Sequence, residues 1–229
     1  MKYLFWDIDG TLLLTGRAGI DALREAIRTR FHNNDFDFSH GLAGCTDSYI
    51  IKQAITDLKG RCTAADAAGL LILYNQLLPA ALLTHQGKLM PNVQTTLAYL
   101  QQTQTNYTSA LLTGNCSTAA HLKLKHYGLE PYFDYRLSTF GELSEERTLL
   151  AQAALQKLYV QNTAINPQTL TIIGDTPHDI KCAQAIGARC LIILAGSGYS
   201  EAELQEQRPW KIIKELPSDP QAFVALLDE

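Results

Sequence analysis

Residues 2–11 read KYLFWDIDGT, a short apolar and aromatic run that stops abruptly at two acids, Asp7 and Asp9. This pattern predicts a buried strand that opens into a functional turn, which Gly10 allows to bend sharply. Acids at alternating positions can point at one place. An aspartate can act as a nucleophile while a second acid moves protons, although an acidic turn or an ion-binding loop without catalysis has the same sequence.

Further along the chain, apolar runs alternate with helical patterns. Runs at 108–112, 169–173 and 190–194 each end in a polar or glycine-containing loop, and helical spacing covers 92–101, 117–127, 146–159 and 178–186. Such alternation predicts βαβ units and therefore an α/β fold with a parallel sheet. Residues 210–216 are expected to form an edge strand and 220–227 a closing helix. In open parallel sheets, ligands bind at the carboxyl ends of the strands, where these polar loops lie.

Residues 15–85 interrupt the alternation, because they show helical spacing without a convincing strand. A connection of this length is far beyond ordinary strand-to-helix loops. We therefore predict a helical domain over residues 15–85, inserted into a core formed by residues 1–14 and 86–229.

Composition narrows the classes of protein to consider. The 229 residues carry a formal net charge of −4, and no Lys/Arg-rich run suggests nucleic-acid binding. The five cysteines are scattered, without a C-x-x-C pair, so neither a disulfide framework nor a zinc site is expected. We found no signal-peptide pattern and no apolar run of about 18 residues, so we expect a cytoplasmic protein without a membrane partner.

A second acidic pair follows the predicted strand at 169–173, where Asp175 and Asp179 are four residues apart. Grouped with Asp7, they would form an all-oxygen site of the kind that Mg²⁺ prefers. The alternative for either residue is a helix N-cap.

Thr113, Gly114 and Asn115 follow another predicted strand and precede a helix. The Thr hydroxyl, the backbone N–H groups and the positive helix end could hold phosphate oxygens, or these residues could simply cap the helix. A phosphoryl group would also need a nearby cation. The candidates are Lys123, Lys125 and Arg147.

Together and in this order, these segments resemble the motifs of the haloacid dehalogenase superfamily: residues 7–11 the first, 113–115 the second and 174–179 the fourth. The resemblance implies a Rossmann-like core with a helical cap, as in the phosphoglycolate phosphatase-like branch, and bound Mg²⁺. It further implies an aspartyl-phosphate on Asp7, with Asp9 as general acid and base whose backbone carbonyl reaches the metal. The metal ligands would be Asp7, Asp9 and Asp175, with Asp179 either a further ligand or a residue that supports the ligands. Phosphate would be held by Gly10, Thr11, Thr113, Gly114 and Asn115.

The resemblance fails at the third motif, which is normally a lysine. The corresponding region, residues 144–148, reads SEERT, so either Arg147 takes that role or Lys123 reaches the site from the helix after Asn115. Arginine would offer a planar fork in place of a point charge.

The helical insertion lies where related proteins carry a cap that closes over the substrate. Residues 41–47 resemble the cap loop that dips toward the site, so Thr46 and Arg17 are expected to contact substrate. A phosphonate hydrolase with Lys52 as Schiff base, a phosphomutase and, from another class, a phosphorylatable signalling domain are the alternatives. We expect a small phosphorylated metabolite as substrate; its identity and the oligomeric state stay open.

Overall fold

A computed structural model describes residues 1–38, 41–102, 106–161 and 164–229. The strands are β1 (Lys2–Trp6), β2 (Leu13–Leu14), β3 (Lys88–Leu89), β4 (Tyr107–Leu111), β5 (Leu170–Gly174), β6 (Arg189–Ile193) and β7 (Lys211–Ile213). The α-helices are α1 (Ala18–Phe31), α2 (Asp47–Lys59), α3 (Ala64–Thr84), α4 (Val93–Gln102), α5 (Ser117–His126), α6 (Arg147–Gln161), α7 (Pro177–Ile186), α8 (Glu201–Glu206) and α9 (Pro220–Asp228).

A five-stranded parallel sheet in the order β4-β1-β5-β6-β7 forms the core. Strand β1 pairs on both sides, with Trp6 opposite Leu111 of β4 and Ile173 of β5. Its side chains alternate between two apolar clusters, because successive strand residues point to opposite faces. The sheet is therefore covered by helices on both faces, which confirms the predicted α/β class.

The helical insertion leaves and rejoins the core through a short antiparallel pair, β2 and β3, in which Leu13 lies opposite Leu89. Helices α1, α2 and α3 pack on one another around side chains that include Ile27, Ile55 and Leu78. Cys116, the N-cap residue of α5, and Ala119 of α5 belong to the same cluster. The insertion thus packs directly on the helix that follows β4, while the exact domain boundaries stay a prediction.

The sequence has no unbroken apolar run of about 18 residues, but helix α3 is long and largely apolar. Polar residues such as Asn75 and Gln76 interrupt its apolar runs, yet by length and composition it is the one described helix that could cross a membrane. In the fold, Leu70, Tyr74, Leu78 and Leu82 are buried, and α3 packs on α1 and α2. It is the central helix of the insertion.

The predicted core elements lie within one or two residues of the observed ones, apart from the last strand. That strand was expected over residues 210–216 but covers only Lys211–Ile213, which pair with Leu191–Ile193 of β6. The β2–β3 pair and α8 were not predicted. Each is too short to show the periodicity on which a prediction from sequence depends.

Candidate active site

The turns after β1, β4 and β5 meet at one edge of the sheet, because these parallel strands are neighbours. Asp7 follows β1, Thr113 and Asn115 follow β4, and Asp175 follows β5. All four residues are buried. The sheet topology thus brings together side chains that lie as many as 168 positions apart in the 229-residue chain.

Three carboxylates form an acidic cluster: Asp7, Asp175 and Asp179, whose potential ligand oxygens lie within 4.8 Å of one another. Burial raises the pKa of Asp7, and the Arg147 guanidinium opposes this effect. Burial also raises the pKa of Asp175 well above its usual value, and the charges of Asp179 and Asp7 add to the shift. The cluster therefore concentrates negative charge where water is scarce.

Gly10 and Thr11 connect the turn after β1 to this cluster. Gly10 has a φ of 86°, and a Cβ at this position would lie 2.3 Å from Oδ2 of Asp175. Only glycine fits, because any side chain would meet the carboxylate in a backbone conformation that already favours glycine. The Thr11 hydroxyl donates to Oδ1 of Asp175 at 3.1 Å.

Arg147, the first residue of α6, is the cation of the acidic cluster. Its Nη2 lies 2.9 Å from Oδ2 of Asp7 and 2.5 Å from Oδ1 of Asp179. Its Nη1 donates to the carbonyl oxygen of Gly44 at 3.1 Å. Burial disfavours the charged guanidinium, but the carboxylates of Asp179 and Asp7 outweigh that effect and raise its pKa.

Asp179 uses both of its oxygens within the protein. Oδ1 accepts from Arg147, while Oδ2 accepts from the backbone N–H groups of Asp175 and Thr176 and from the Thr176 hydroxyl. Asp179 also forms a capping box with Thr176 at the start of α7. The N-cap alternative from the sequence therefore describes part of its role, since Asp179 fixes the loop that carries Asp175.

On the β4 side of β1, Lys123 of α5 occupies a second buried position. Its Nζ lies 2.6 Å from Oδ2 of Asp9 and 2.5 Å from Oδ1 of Asn115. The Asn115 amide donates to Asp9 at 2.8 Å and to the Thr113 hydroxyl oxygen at 3.0 Å. The Asp9 side chain thus lies in a separate hydrogen-bonded group and not in the acidic cluster. Lys125, the third cation candidate, is exposed.

Two N–H groups at the N-terminus of α5 are bonded to carboxylates of the protein itself. The N–H of Cys116 donates to Oδ2 of Asp47 at 2.7 Å, and that of Ser117 donates to Oε2 of Glu142 at 2.9 Å. Carboxylates commonly stabilise helix N-termini in this way. Neither Asp47 nor Glu142 was assigned a role from sequence, because both are far from α5 along the chain.

The loop 41–47 lies against the turn that follows β4. The N–H of Asp47 donates to the carbonyl oxygen of Gly114 at 2.7 Å, and a Cβ on Gly114 would lie 2.2 Å from the carbonyl oxygen of Cys45. The Ser48 hydroxyl donates to the carbonyl oxygen of Gly141 at 2.7 Å. The insertion therefore covers the site in this structure, and the missing side chain of Gly114 permits the backbones to touch.

Three residues that the sequence associated with the insertion lie in different surroundings. The buried Thr46 hydroxyl donates to the Glu145 carbonyl oxygen and accepts the Tyr49 N–H, so it holds the loop in place. The Arg17 side chain is 66% exposed at the cavity, 3.7 Å from Asp21. Lys52 is half exposed and pairs with Glu145 at 2.9 Å. This ion pair raises the pKa of Lys52, which disfavours the neutral amine that a Schiff-base mechanism needs.

A cavity of about 530 Å³ lies between the sheet edge and the insertion. Its core wall includes Asp7, Asp9, Asn115 and Asp175, and its opposite wall comes from α1, α3 and the loop 41–47. This volume is typical of pockets for small molecules.

Comparison with known proteins identifies the family. The model of the haloacid dehalogenase-like hydrolases matches residues 4–193, which include the loops that build the site. The chain belongs to this family. A search of curated proteins returned no match.

Solved structures of this family share the whole fold. A hydrolase from Pseudomonas syringae has a TM-score of 0.71 at 20% identity, covering 99% of both chains. A predicted phosphoglycolate phosphatase from Haemophilus somnus has a TM-score of 0.71 at 18% identity, covering 98% of both chains. CbbY from Rhodobacter sphaeroides, in complex with phosphate, has a TM-score of 0.69 at 14% identity, covering 94% of both chains. At such identities, the similarity establishes the fold alone.

Proposed function

We propose that this family member is a Mg²⁺-dependent phosphatase that hydrolyses a small phosphomonoester through an aspartyl-phosphate on Asp7. One observation carries the proposal: among the described residues, three buried carboxylates lie together and one guanidinium, that of Arg147, pairs with two of them. When ionised, this group has two uncompensated negative charges at the floor of the cavity. Buried charges are costly unless they are paired or bind a metal, and a divalent cation matches this imbalance.

The oxygen atoms available at the cluster suit Mg²⁺, which binds proteins through a few carboxylates and keeps several waters. Because Asp179 already accepts from four donors, we assign the carboxylate ligands to Asp7 and Asp175. The backbone carbonyl of Asp9 would complete the protein ligands, as the family resemblance implies. Bound there, the ion would offset the charge of the phosphoryl oxygens as an anionic nucleophile approaches.

In the proposed reaction, the Asp7 carboxylate attacks phosphorus and the bond to the leaving oxygen breaks. Asp9 gives its proton to that oxygen and then takes a proton from the water that attacks the phosphorus of the aspartyl-phosphate. This attack breaks the bond between the Asp7 oxygen and phosphorus, which releases phosphate and restores the Asp7 carboxylate. The Asp9 side chain is 43% exposed, so it can reach both the leaving group and water. Lys123 and Asn115 orient it for these transfers.

We assign the third-motif role to Arg147 and a positioning role to Lys123. Arg147 contacts the proposed nucleophile at 2.9 Å, whereas Lys123 contacts Asp9 and Asn115. A guanidinium can hold two carboxylates at once because its donors form a rigid fork.

The substrate class and cellular location are also proposals. The small cavity favours a small phosphorylated metabolite, and the structural relatives include a predicted phosphoglycolate phosphatase and a protein solved with phosphate. A phosphomutase of this family would have the same nucleophile and would transfer the phosphoryl group to a sugar phosphate. Five free thiols support a reducing, cytoplasmic environment.

Hydrolysis of p-nitrophenyl phosphate by the purified protein tests the proposal. We expect turnover with Mg²⁺, none in EDTA, and a loss of about 10³-fold or more in Asp7→Asn. The circular dichroism spectrum of this variant should match that of the wild type. Asp35→Asn makes the same chemical change at an exposed residue and should keep full activity. Turnover without metal, or full activity of Asp7→Asn, would refute the mechanism.

A further inference from the structure

The wall of the cavity that faces the acidic cluster is mainly apolar. Four side chains of this wall are aliphatic and partly or fully buried: Leu14, Ile20, Leu23 and Leu42. Ile50 of α2 and the ring of Tyr74 of α3 extend the same surface. A leaving group attached to a phosphoryl group at Asp7 would lie against this wall, since the insertion closes the cavity opposite the sheet edge.

Most cationic side chains at the cavity are already paired, so few of them can bind a second anionic group on the substrate. Arg147 and Lys123 are buried and already contact carboxylates. Among the described residues that line the cavity, the remaining cation is Arg17, whose largely exposed side chain is screened by water and lies near Asp21.

The insertion instead brings a buried carboxylate to the cavity. Asp47 is buried, lines the cavity and is fixed by the backbone N–H of Cys116. An anionic group on the substrate would approach this carboxylate in a place where water screens charge poorly, and such like-charge contacts are unfavourable.

We propose that the cavity selects phosphomonoesters with an uncharged, apolar leaving group and discriminates against substrates that carry a second anionic group. Ile20 and Leu42 are the specificity-determining residues, since both are only partly buried and line the cavity. This inference rests on the proposed phosphatase activity. It makes phosphoglycolate a poor substrate, although at least two structural relatives carry that compound in their names.

A matched pair of substrates tests the charge preference. Ethyl phosphate and phosphoglycolate have the same chain length and differ in a terminal methyl or carboxylate group. We expect kcat/KM with Mg²⁺ to be at least about tenfold higher for ethyl phosphate, given the typical cost of a like-charge contact. Equal or better hydrolysis of phosphoglycolate would overturn the proposal, and a loss of that hydrolysis in Arg17→Ala would show that Arg17 binds the carboxylate.

A series of straight-chain alkyl phosphates tests the apolar wall. From ethyl to butyl phosphate, kcat/KM should rise by about fourfold for each added methylene if the chain becomes fully buried. Ile20→Asn and Leu42→Asn should flatten this rise, because each places a polar group on the apolar wall. Leu143→Asn makes the same kind of change at an exposed leucine outside the cavity and should keep the wild-type rise.

The results separate this inference from the proposed function. Hydrolysis of p-nitrophenyl phosphate with Mg²⁺, combined with a flat alkyl series in the wild type, would refute the inference alone. Absence of hydrolysis of every phosphomonoester would refute both.

Discussion

Arg147 and Lys123 are both buried cations, but they lie on different sides of the turn that carries Asp7 and Asp9. On the β5 side, Arg147 bridges Asp7 and Asp179, with Asp175 close by. On the β4 side, Lys123 bridges the single carboxylate of Asp9 and the amide oxygen of Asn115. The first group has an excess of negative charge, while the second is balanced.

This difference separates two tasks in one small site. The unbalanced side is suited to a divalent cation and a nucleophile, because it offers carboxylate oxygens that its own guanidinium does not neutralise. The balanced side is suited to orienting a group that moves protons, since every partner of Asp9 there is fixed by another contact. Each of the following changes should affect one side more than the other.

The largest difference should come from removing each cation. Arg147→Ala leaves two buried carboxylates without their partner, so we expect a loss of about 3–5 kcal/mol in the free energy of unfolding and of about 10²-fold or more in kcat. Lys123→Ala should cost about 1–2 kcal/mol, because the Asp9 side chain is partly exposed to water. Urea unfolding and steady-state hydrolysis of p-nitrophenyl phosphate measure both effects.

Arg147→Lys provides the control for this comparison. It keeps the charge but loses the fork, so it should recover part of the stability and less of the rate. If Lys123→Ala proves more harmful to both quantities than Arg147→Ala, the assignment of the third-motif role is wrong.

An intermediate effect should come from Mg²⁺ binding. At a concentration about 100 times its Kd, the ion should stabilise the wild type by about 2.7 kcal/mol, which corresponds to a rise of about 5 °C in Tm. Asp175→Asn should abolish this rise, because it removes a proposed ligand. Asp9→Asn should keep most of it, because the backbone carbonyl of Asp9 remains. Differential scanning calorimetry with Mg²⁺ or EDTA distinguishes the two sides, and an equal loss in both variants would contradict the assignment.

The smallest effect should be a pH dependence of the metal-free protein. Burial raises the pKa of Asp7 and Asp175 in the folded state, so the folded protein holds their protons more tightly than the unfolded chain does. This contribution to stability is present at low pH and is lost as the pH rises through the raised pKa values. In EDTA, Tm should therefore fall with rising pH more in the wild type than in Asp175→Asn. Identical profiles of Tm against pH in the two proteins would show that the acidic cluster does not make stability depend on pH in this way.

The sequence predicted the core of the fold well, because β1 and the strands beside it are short and largely apolar and end at recognisable turns. It also predicted the helical insertion. It did not predict the β2–β3 pair at the base of the insertion, which is held by tertiary pairing of two residues on each side. Such short pairings have no local pattern in the sequence.

The site was predictable where the family motifs apply, at Asp7, Thr113 and Asp175. The sequence left Arg147 and Lys123 as alternatives for one role, whereas the structure gives each cation separate partners. Which carboxylate each cation contacts depends on distances through space, which cannot be read from spacing along the chain. For the same reason, the sequence did not predict the roles of Asp47 and Glu142. Their carboxylates bind the N-terminus of α5, which is about 70 and 25 residues away along the chain, respectively.

Trapping the covalent intermediate is a direct test of Asp7 as the nucleophile. Borohydride reduces an aspartyl-phosphate to homoserine, so the enzyme should be quenched with borohydride during turnover of p-nitrophenyl phosphate and mapped by peptide mass spectrometry. We expect homoserine at position 7, dependent on both substrate and Mg²⁺ and absent from Asp7→Asn. Modification at a different acid, or steady turnover without any reduced aspartate, would contradict it.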